Sequence, residues 1–284
     1  MRIASNKQTT GLGHVTVRDL KAMTVGIPTP EEQRAIIDVL APLDDKIDLI
    51  RQMDETLESI AQTVFKSRFV DNTQSGLPSG WKTRALYDCA DYINGAAFRN
   101  EHFSTERRGL PVIKIGELKE GVTARTKFCE IEREPKYRVA SGDVLFSWSG
   151  SPDTSIDIFV WTGPEGWLNQ HIFKVGFNRP EEKWFVYYLL RQHKPIFIEI
   201  ARNKQTSGLG HVTSQDLKRL QAAIPPDDVL HEFNQIAEPL FERSYILRCE
   251  AQTLAELRDA LLPKLLSGEI RIPFAAEQVK GAIR

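Results

Sequence analysis

The chain has few of the residues from which metal sites and disulfide frameworks are built. Its 284 residues include three cysteines and six histidines. Cys89, Cys129 and Cys249 are odd in number and widely separated, so they predict neither a disulfide framework nor a CxxC metal site, and we expect buried thiols. The histidines show no HExxH or HxxxH pairing, so the sequence predicts no metal site.

Long apolar runs and an excess of one charge are also lacking. No run approaches the roughly 18 apolar residues that a membrane span needs, and the N-terminus has no basic region followed by an apolar core. We therefore expect a cytoplasmic protein. The formal net charge is −1. Since that value gives no general reason to expect nucleic-acid binding, such a prediction has to rest on particular segments.

Most catalytic signatures are absent as well. The chain has no GxGxxG, no phosphate-binding GxxxxGK loop, no Asn/Asp-Pro-Pro-aromatic methyltransferase loop and no GxSxG. One weak alternative is a Mg²⁺-dependent nuclease, because Asp153 and the run Glu181-Glu182-Lys183 offer two carboxylates for the metal and a lysine near an attacking water.

What the sequence does contain is a repeat. Residues 4–21 and 201–218 are identical at 14 of 18 positions, which indicates a duplication. Both copies carry GLGHVT followed by an aspartate, at Thr16 with Asp19 and at Thr213 with Asp216. This spacing is typical of a helix capping box after a glycine-rich turn. The alternative role for this stretch is contact with phosphate through loop amides and a lysine.

Each copy of the repeat leads into a long heptad pattern, which predicts two helices of roughly 35 residues that pair as a coiled coil. The alternative is that each apolar stripe packs on a globular body. The apolar positions predicted to pair the helices are Ile36, Leu40, Leu43, Ile47, Ile50 and Leu57 in the first and Leu240, Leu247, Leu254 and Leu261 in the second.

Between the helices the sequence mixes strand-like runs with shorter helical patterns, which predicts a single α/β (α+β) domain. LPVIKIGEL, GDVLFSW, IDIFVW and HIFKVGF are typical of strands, and EEKWFVYYLLRQHKPIF is typical of a helix. The predicted organisation is a stub at 1–26, a first spacer helix at 27–69, a linker at 70–81, the α/β domain at 82–226, a second spacer helix at 227–268 and a C-terminal tail at 269–284.

Several segments could contact DNA. Residues 191–219 contain six Lys or Arg against two acids, which is either a footprint for a phosphate backbone or a solvated face. The loops 94–103 and 146–155 combine Ser, Asn and Arg with aromatics, which can read base edges but also occur in ordinary turns. The candidate DNA-binding side chains are Asn94, Arg99, Asn100, Arg107, Ser147, Ser149, Ser151, Asn169, Arg202, Lys204, Gln205, Thr206 and His211.

Taken in order along the chain, these pieces resemble the DNA-specificity subunit of type I restriction-modification systems. The resemblance covers essentially the whole chain and rests on GLPSGW, INGAAFRNEHF, LPVIKIGEL, GDVLFSWSGS, NQHIFKV, GHVTSQDLKRL and LRDALLPKLLSGEIRI, together with the first long helix. Members of that family carry two target-recognition domains, each followed by a spacer helix. Here only one is complete, so the resemblance implies a half-sized or N-terminally shortened subunit.

The resemblance implies a non-catalytic protein that reads double-stranded DNA and recruits methyltransferase subunits and a restriction subunit. Those partners would use S-adenosylmethionine, ATP and Mg²⁺, and this chain would bind no cofactor. A single recognition domain implies a homodimer, or pairing with another half subunit, on a bipartite site. Because two different recognition domains would differ where they read bases, the near-identical repeat favours backbone contact or a structural hinge. Base readout is then expected in 94–108 and 146–170. A scaffold without any DNA role remains a further alternative.

Overall fold

The computed structural model describes residues 16–22, 26–205 and 208–283, which form a mixed helix and sheet structure. None of the helices described there is long and apolar enough to cross a membrane. The helices are α1 (Val17–Lys21), α2 (Pro30–Phe65), α3 (Ile115–Glu120), α4 (Pro152–Ser155), α5 (Lys183–Asn203), α6 (Ser214–Arg219), α7 (Asp227–Leu266) and α8 (Ile272–Ala282).

Helices α2 and α7 are the two long helices that the heptads predict. They contain 36 and 40 residues, or about 54 and 60 Å at 1.5 Å per residue. The Thr29 hydroxyl accepts from the Glu32 amide at 3.3 Å while the Glu32 carboxylate accepts from the Thr29 amide at 2.8 Å. This capping box begins α2 well before Pro42. Pro42 therefore lies inside α2 and does not mark its start.

The chain divides into two compact units, one formed by residues 1–46 with 254–284 and the other by residues 47–253. In the first unit, Arg258 of α7 donates to Asp44 of α2 at 2.8 Å. Residues 269–284, predicted as a tail, contain α8, whose Ala275 and Val279 are buried.

In the second unit the long helices pack antiparallel. Arg68, in the π-helical turn that follows α2, pairs with Glu232 at 3.2 Å, whereas Asp54 pairs with Arg248 at 2.9 Å. The partner on α7 therefore lies nearer the C-terminus of α7 when its partner on α2 lies nearer the N-terminus of α2, as expected for antiparallel helices. The predicted fold class, an α/β domain with two long antiparallel helices, is confirmed. Of the ten predicted pairing positions, Leu57 and Leu240 are half-buried and the remaining eight are buried.

In the described part of the second unit, twelve short strands form the sheets. They are β1 (Lys82–Ala85), β2 (Asp91–Asn94), β3 (Leu110–Ile113), β4 (Phe128–Cys129), β5 (Arg138–Val139), β6 (Val144–Ser147), β7 (Ser149–Gly150), β8 (Asp157–Val160), β9 (Gly166–Leu168), β10 (Ile172–Gly176), β11 (Gly210–His211) and β12 (Gln221–Ile224). Two sheets have four strands, in the orders β2-β10-β6-β8 and β4-β3-β9-β5, and the pairs β1-β12 and β11-β7 stand apart from them.

Aromatic side chains join the α/β domain to the long helices within the second unit. The ring of Phe65, at the end of α2, lies 5.6 Å from Phe185 of α5 and 5.8 Å from Phe233 of α7. Phe69 lies 4.9 Å from Phe233. All four side chains are buried, and aromatic pairs at these distances add directional contacts to the burial of apolar area. The packing of α5 on both helices therefore positions the domain.

Two local expectations differ from the structure. LPVIKIGEL forms a strand only to Ile113, because Lys114 begins α3 and its backbone amide donates to the Glu117 carboxylate at 3.1 Å. Of the cysteines, Cys89 and Cys129 are buried, but Cys249 is half-exposed on α7.

Candidate nucleic-acid interface

The polar loops predicted to read DNA leave the sheet β2-β10-β6-β8 at one edge. The pairs Asn94 with Phe173, Ile172 with Ser147 and Ser147 with Asp157 place the last residues of β2 and β6 beside the first residues of β10 and β8. Because neighbouring strands are antiparallel, these four ends share an edge. We call the side chains at this edge the sheet-end surface: Asn94, Trp148, Ser149, Gln170, His171 and His211.

Trp148 organises the sheet-end surface. Its indole Nε1 donates to Asn94 Oδ1 at 3.0 Å, and its ring lies 5.9 Å from the ring of His171. Because the indole nitrogen only donates, this bond fixes which end of the Asn94 amide faces the tryptophan. The Nδ2 group of Asn94 is then a donor with a set direction.

Gln170 and His171 are exposed beside this tryptophan, and Gln170 Nε2 lies 3.2 Å from His171 Nε2. Amide and imidazole groups supply the donors and acceptors that distinguish base edges in the major groove. The predicted readout segment 146–170 contains Trp148 and Gln170, but neither was among the candidate side chains, and His171 lies just outside the segment. The polar run NQH between the apolar stretches 166–168 and 172–173 is the sequence signal that could have identified Gln170 and His171.

The second copy of the repeat, residues 201–218 and here called the exit repeat, reaches the same surface through β11. Strand β11 pairs antiparallel with β7, so that His211 lies opposite Ser149. The Val212 amide donates to the Trp148 carbonyl at 2.8 Å. Two segments separated by about sixty residues in the sequence therefore form one surface.

The other predicted loop residues have different environments. Arg99 and Asn100 are exposed in the loop after β2, and Ser151 is half-buried just before α4. Ser147 and Asn169 are buried, so the side chains of these two predicted contacts do not face a ligand in this structure. Thr206 lies outside the described residues.

Arg107 supports the loop that follows α3. Its guanidinium donates to the carbonyl oxygens of Thr123 at 3.0 Å and Ala124 at 2.7 Å, and it lies 4.5 Å from the centre of the Phe128 ring. Its φ of 59° is in the left-handed region, which non-glycine residues seldom adopt. These contacts give Arg107 a structural role in this loop.

The basic stretch 191–219 is largely neutralised by acids from elsewhere in the chain. Arg191 and Lys194 bind Asp157 at 3.2 and 2.6 Å, and Arg202 forms an ion pair with Asp153. The Arg202–Asp153 pair is exposed, so phosphate could compete for this arginine because exposed ion pairs are weak. The predicted positive footprint is thus reduced to Arg202 and to Lys218 and Arg219, which are exposed.

Lys204 and Asp216 form an ion pair within the exit repeat. The ammonium group donates to Asp216 Oδ1 at 2.6 Å, and the Asp216 carboxylate also accepts from the Thr213 amide at 2.7 Å. Burial alone raises the pKa of Asp216, but the hydrogen bonds from Lys204 and Thr213 bring it below its ordinary value. Gln205 Nε2 donates to the Gly208 carbonyl at 2.7 Å. These predicted DNA contacts make internal bonds.

Gly210 explains part of the repeated glycine pattern. A β-carbon at this position would lie 2.1 Å from the carbonyl oxygen of Ala201 on α5, much closer than van der Waals contact allows. Gly208 has φ +87°, which favours glycine for a different reason. The second copy of the repeat therefore folds the end of α5 against β11.

The first copy of the repeat makes the same cap but not the same packing. The Thr16 amide donates to Asp19 Oδ2 at 2.9 Å, as Thr213 does to Asp216, so the predicted capping boxes form in both copies. Leu217 of α6 is fully buried, whereas the equivalent Leu20 of α1 is 58% exposed. Residues 4–15 of this copy lie outside the described residues.

The nuclease alternative does not fit this geometry. Asp153 binds Arg202 in the last turn of α5, whereas Glu182 lies just before its first residue and binds Arg84 at 3.0 Å. A helix of 21 residues spans about 30 Å, so the two carboxylates cannot hold one ion. Within 16–22, 26–205 and 208–283, no cluster of metal-binding side chains was found.

Comparison with known proteins identifies the family. A family model described as type I restriction modification DNA specificity domain matches residues 1–59 and 78–258. The specificity subunit of the type I restriction enzyme MjaIX of Methanocaldococcus jannaschii is 27% identical over 275 residues, which cover 89% of this chain and 62% of that protein. The HindI specificity subunit of Haemophilus influenzae is 22% identical over 331 residues, covering 90% and 71%.

A solved structure agrees with the fold. The type I restriction-modification S subunit of M. genitalium gives a TM-score of 0.54 at 14% identity and covers 91% of this chain and 67% of that one. At this identity the likeness concerns the fold alone. Since the family model matches well over half of the residues, this chain belongs to the type I restriction-modification DNA specificity family.

Proposed function

We propose that this protein recognises double-stranded DNA as a specificity subunit and catalyses no reaction itself. In this proposal the sheet-end surface enters the major groove of a half-site, and the two long helices carry the methyltransferase subunits and set the half-site spacing. The partner subunits bring S-adenosylmethionine, ATP and Mg²⁺, and this chain binds none of them. The complex acts in the cytoplasm.

One observation carries the proposal. Polar side chains from three loops and from the exit repeat converge on one sheet edge, and Trp148 fixes the direction of the Asn94 amide by a bond of 3.0 Å. Oriented amides beside aromatic rings are suited to reading base edges and thymine methyl groups. Arg202 and Asp153 form an exposed ion pair near this edge. A DNA phosphate could replace the Asp153 carboxylate as the partner of Arg202.

Selection of bound sequences from a random duplex library tests the proposal, using this protein with its methyltransferase subunits. We expect Gln170→Ala to change the preferred base at one position, with about 1–3 kcal/mol of discrimination lost there. Gln235→Ala is a matched control, because Gln235 is also exposed and lies 3.2 Å from a histidine, His231 on α7. Identical selected sequences for Gln170→Ala and the wild type would contradict base reading by this surface.

Gln205→Ala tests whether the exit repeat reads bases or only stabilises the loop that contacts DNA. Because Gln205 binds the Gly208 carbonyl, we expect it to lower affinity for all sequences by a similar factor and to leave base preference unchanged. A changed base preference in this variant would instead place the exit repeat among the base-reading segments. If the wild-type protein binds no DNA even with methyltransferase present, that result would favour the alternative in which the protein is a scaffold without a DNA role.

The proposal includes assembly of two recognition domains. The described residues hold one such domain, between β1 and β12, and a bipartite site needs two. We therefore propose a homodimer, or pairing with another half subunit; two identical domains would read a palindromic split site. Light scattering coupled to size exclusion, with and without methyltransferase, gives the number of copies. A single copy of this chain in an active assembled complex contradicts the homodimer.

A further inference from the structure

A partly buried ionic cluster lies where α5 packs on the two long helices in the second unit. It consists of Asp54 and Glu58 on α2, Arg191 on α5, Arg248 on α7 and Asp157 at the start of β8. Glu58 is only 6% exposed. A polar cleft of about 430 Å³ opens beside the cluster and is lined by four of these five residues.

On the helix side the cluster is fully bonded. Arg248 donates to Asp54 Oδ2 at 2.9 Å and to Glu58 Oε1 at 2.9 Å. The Tyr187 hydroxyl also donates to Glu58 Oε1, at 2.8 Å. Burial raises the pKa of Tyr187 above its ordinary value, so its hydroxyl stays protonated and keeps donating. Glu58 therefore has two partners at Oε1 without counting Arg191, and Gln62 Nε2 donates to its Oε2 at 3.3 Å.

On the domain side, Arg191 joins this cluster to the sheet. Its Nη1 donates to Asp157 Oδ1 at 3.2 Å and to the Ile158 carbonyl at 3.3 Å, and its Nε lies 3.7 Å from Glu58 Oε2. Asp157 is paired with Ser147 at the edge that carries the sheet-end surface. It keeps a second partner, Lys194, at 2.6 Å. Arg191 is thus the one member of the cluster that contacts both α2 and the edge that carries the sheet-end surface.

Ionic and aromatic contacts act differently here. The aromatic contacts of Phe65, Phe185 and Phe233 position α5 on the long helices, whereas Arg191 extends this positioning from α5 to the first residue of β8. The hydrogen bonds from Arg191 to Asp157 and to the Ile158 carbonyl need a defined geometry. Its contact with Glu58, at 3.7 Å, is an ion pair without a hydrogen bond. Since desolvation offsets most of the attraction in a buried ion pair, the contribution of Arg191 is mainly to geometry.

We propose that Arg191 is a positioning residue that fixes the orientation of the sheet-end surface relative to α2 and α7, and so restricts which half-site spacing the assembled protein accepts. This inference rests on the proposed function. It assigns to Arg191, previously counted only as part of a basic stretch, a role that involves no contact with DNA.

Arg191→Met tests the role without leaving a buried carboxylate unpaired, since Glu58 keeps Arg248 and Tyr187 and Asp157 keeps Lys194. Binding of the assembled complex is measured on duplexes with the same half-sites and spacers that differ by one base pair. We expect the affinity ratio between the best spacer and its neighbours to fall about tenfold, the size of one lost charge-assisted hydrogen bond. Base preference within each half-site should not change.

Arg84→Met is the matched control. Arg84 also pairs with a buried acid, Glu182, but at the other end of α5. We expect it to lower thermal stability and to leave the spacer ratio unchanged. Arg191→Lys keeps the positive charge but lacks the planar guanidinium, so it should shift the spacer affinity ratio in the same direction as Arg191→Met. It replaces Arg191→Met in the test if that variant does not fold. An unchanged spacer ratio in folded Arg191 variants overturns the proposal.

A second measurement needs no DNA. Spin labels at Glu55→Cys on α2 and Gln170→Cys on the sheet-end surface, in a Cys249→Ser background, report the distance between helix and reading edge. We expect Arg191→Met to broaden that distance distribution and Arg84→Met to leave it unchanged. Broadening in a protein that binds no split site would refute the proposed function while supporting the positioning role. An unchanged distribution refutes the positioning role itself.

Discussion

The two copies of the repeat provide an internal control for the packing of one leucine. Leu217 is fully buried and Leu20 is 58% exposed, although the residues around them are nearly identical. Leu217→Ala should therefore lower the free energy of unfolding by about 2–5 kcal/mol, the range for a buried leucine. Leu20→Ala should change it by less than about 0.5 kcal/mol, as an exposed substitution does.

The assay is thermal or urea unfolding of the two single variants and the wild type. Leu217 lies in the unit formed by residues 47–253. For a unit of that size each kcal/mol corresponds to about 2–4 °C, so Leu217→Ala should lower Tm by about 4–20 °C. Equal losses in the two variants would refute the reasoning, because they would mean that α1 buries its leucine as α6 does.

Three further predictions concern stability. Gly210→Ala should cost about 1–3 kcal/mol in denaturant unfolding because of its clash with Ala201, while Gly116→Ala, with open space around it, should cost nothing. Burial lowers the pKa of His193, so the wild type should lose stability as pH falls below about 6.5 and His193→Gln should lose less, as Tm measured from pH 7 to 5 will show. The lowered pKa of Asp216 contributes stability above its ordinary value of 3.8, so Asp216→Asn should be less stable at pH 7 and should show a weaker loss on acidification to pH 3.

The elements with long periodicity could be predicted from the sequence. Heptad spacing identified α2 and α7, and the Thr-x-x-Asp spacing identified the caps that precede α1 and α6. Both signals act over neighbouring turns of one helix, so a single sequence contains them. The segment after Ile113 was misassigned because a strand and the cap of a short helix share the same apolar run.

The electrostatics of the candidate site could not be predicted in this way. Arg191 and Lys194 form part of a positive run in the sequence, but their shared partner Asp157 is more than thirty residues away. Likewise, His171 lies beside Trp148, and Gln170 beside His171, only because the sheet brings these strand ends together. Ion pairs and surfaces that depend on tertiary contacts require the fold.

The strands β1 and β12 define how the α/β domain is tied to the helices. They pair antiparallel from Lys82 opposite Ile224 to Ala85 opposite Gln221, and the chain enters and leaves the domain at the Lys82–Ile224 end. A force that pulls on the chain at this end loads the pairs one after another, so the strands peel apart rather than slide. Under mechanical tension, the β1–β12 pair should separate before the aromatic core of the domain unfolds.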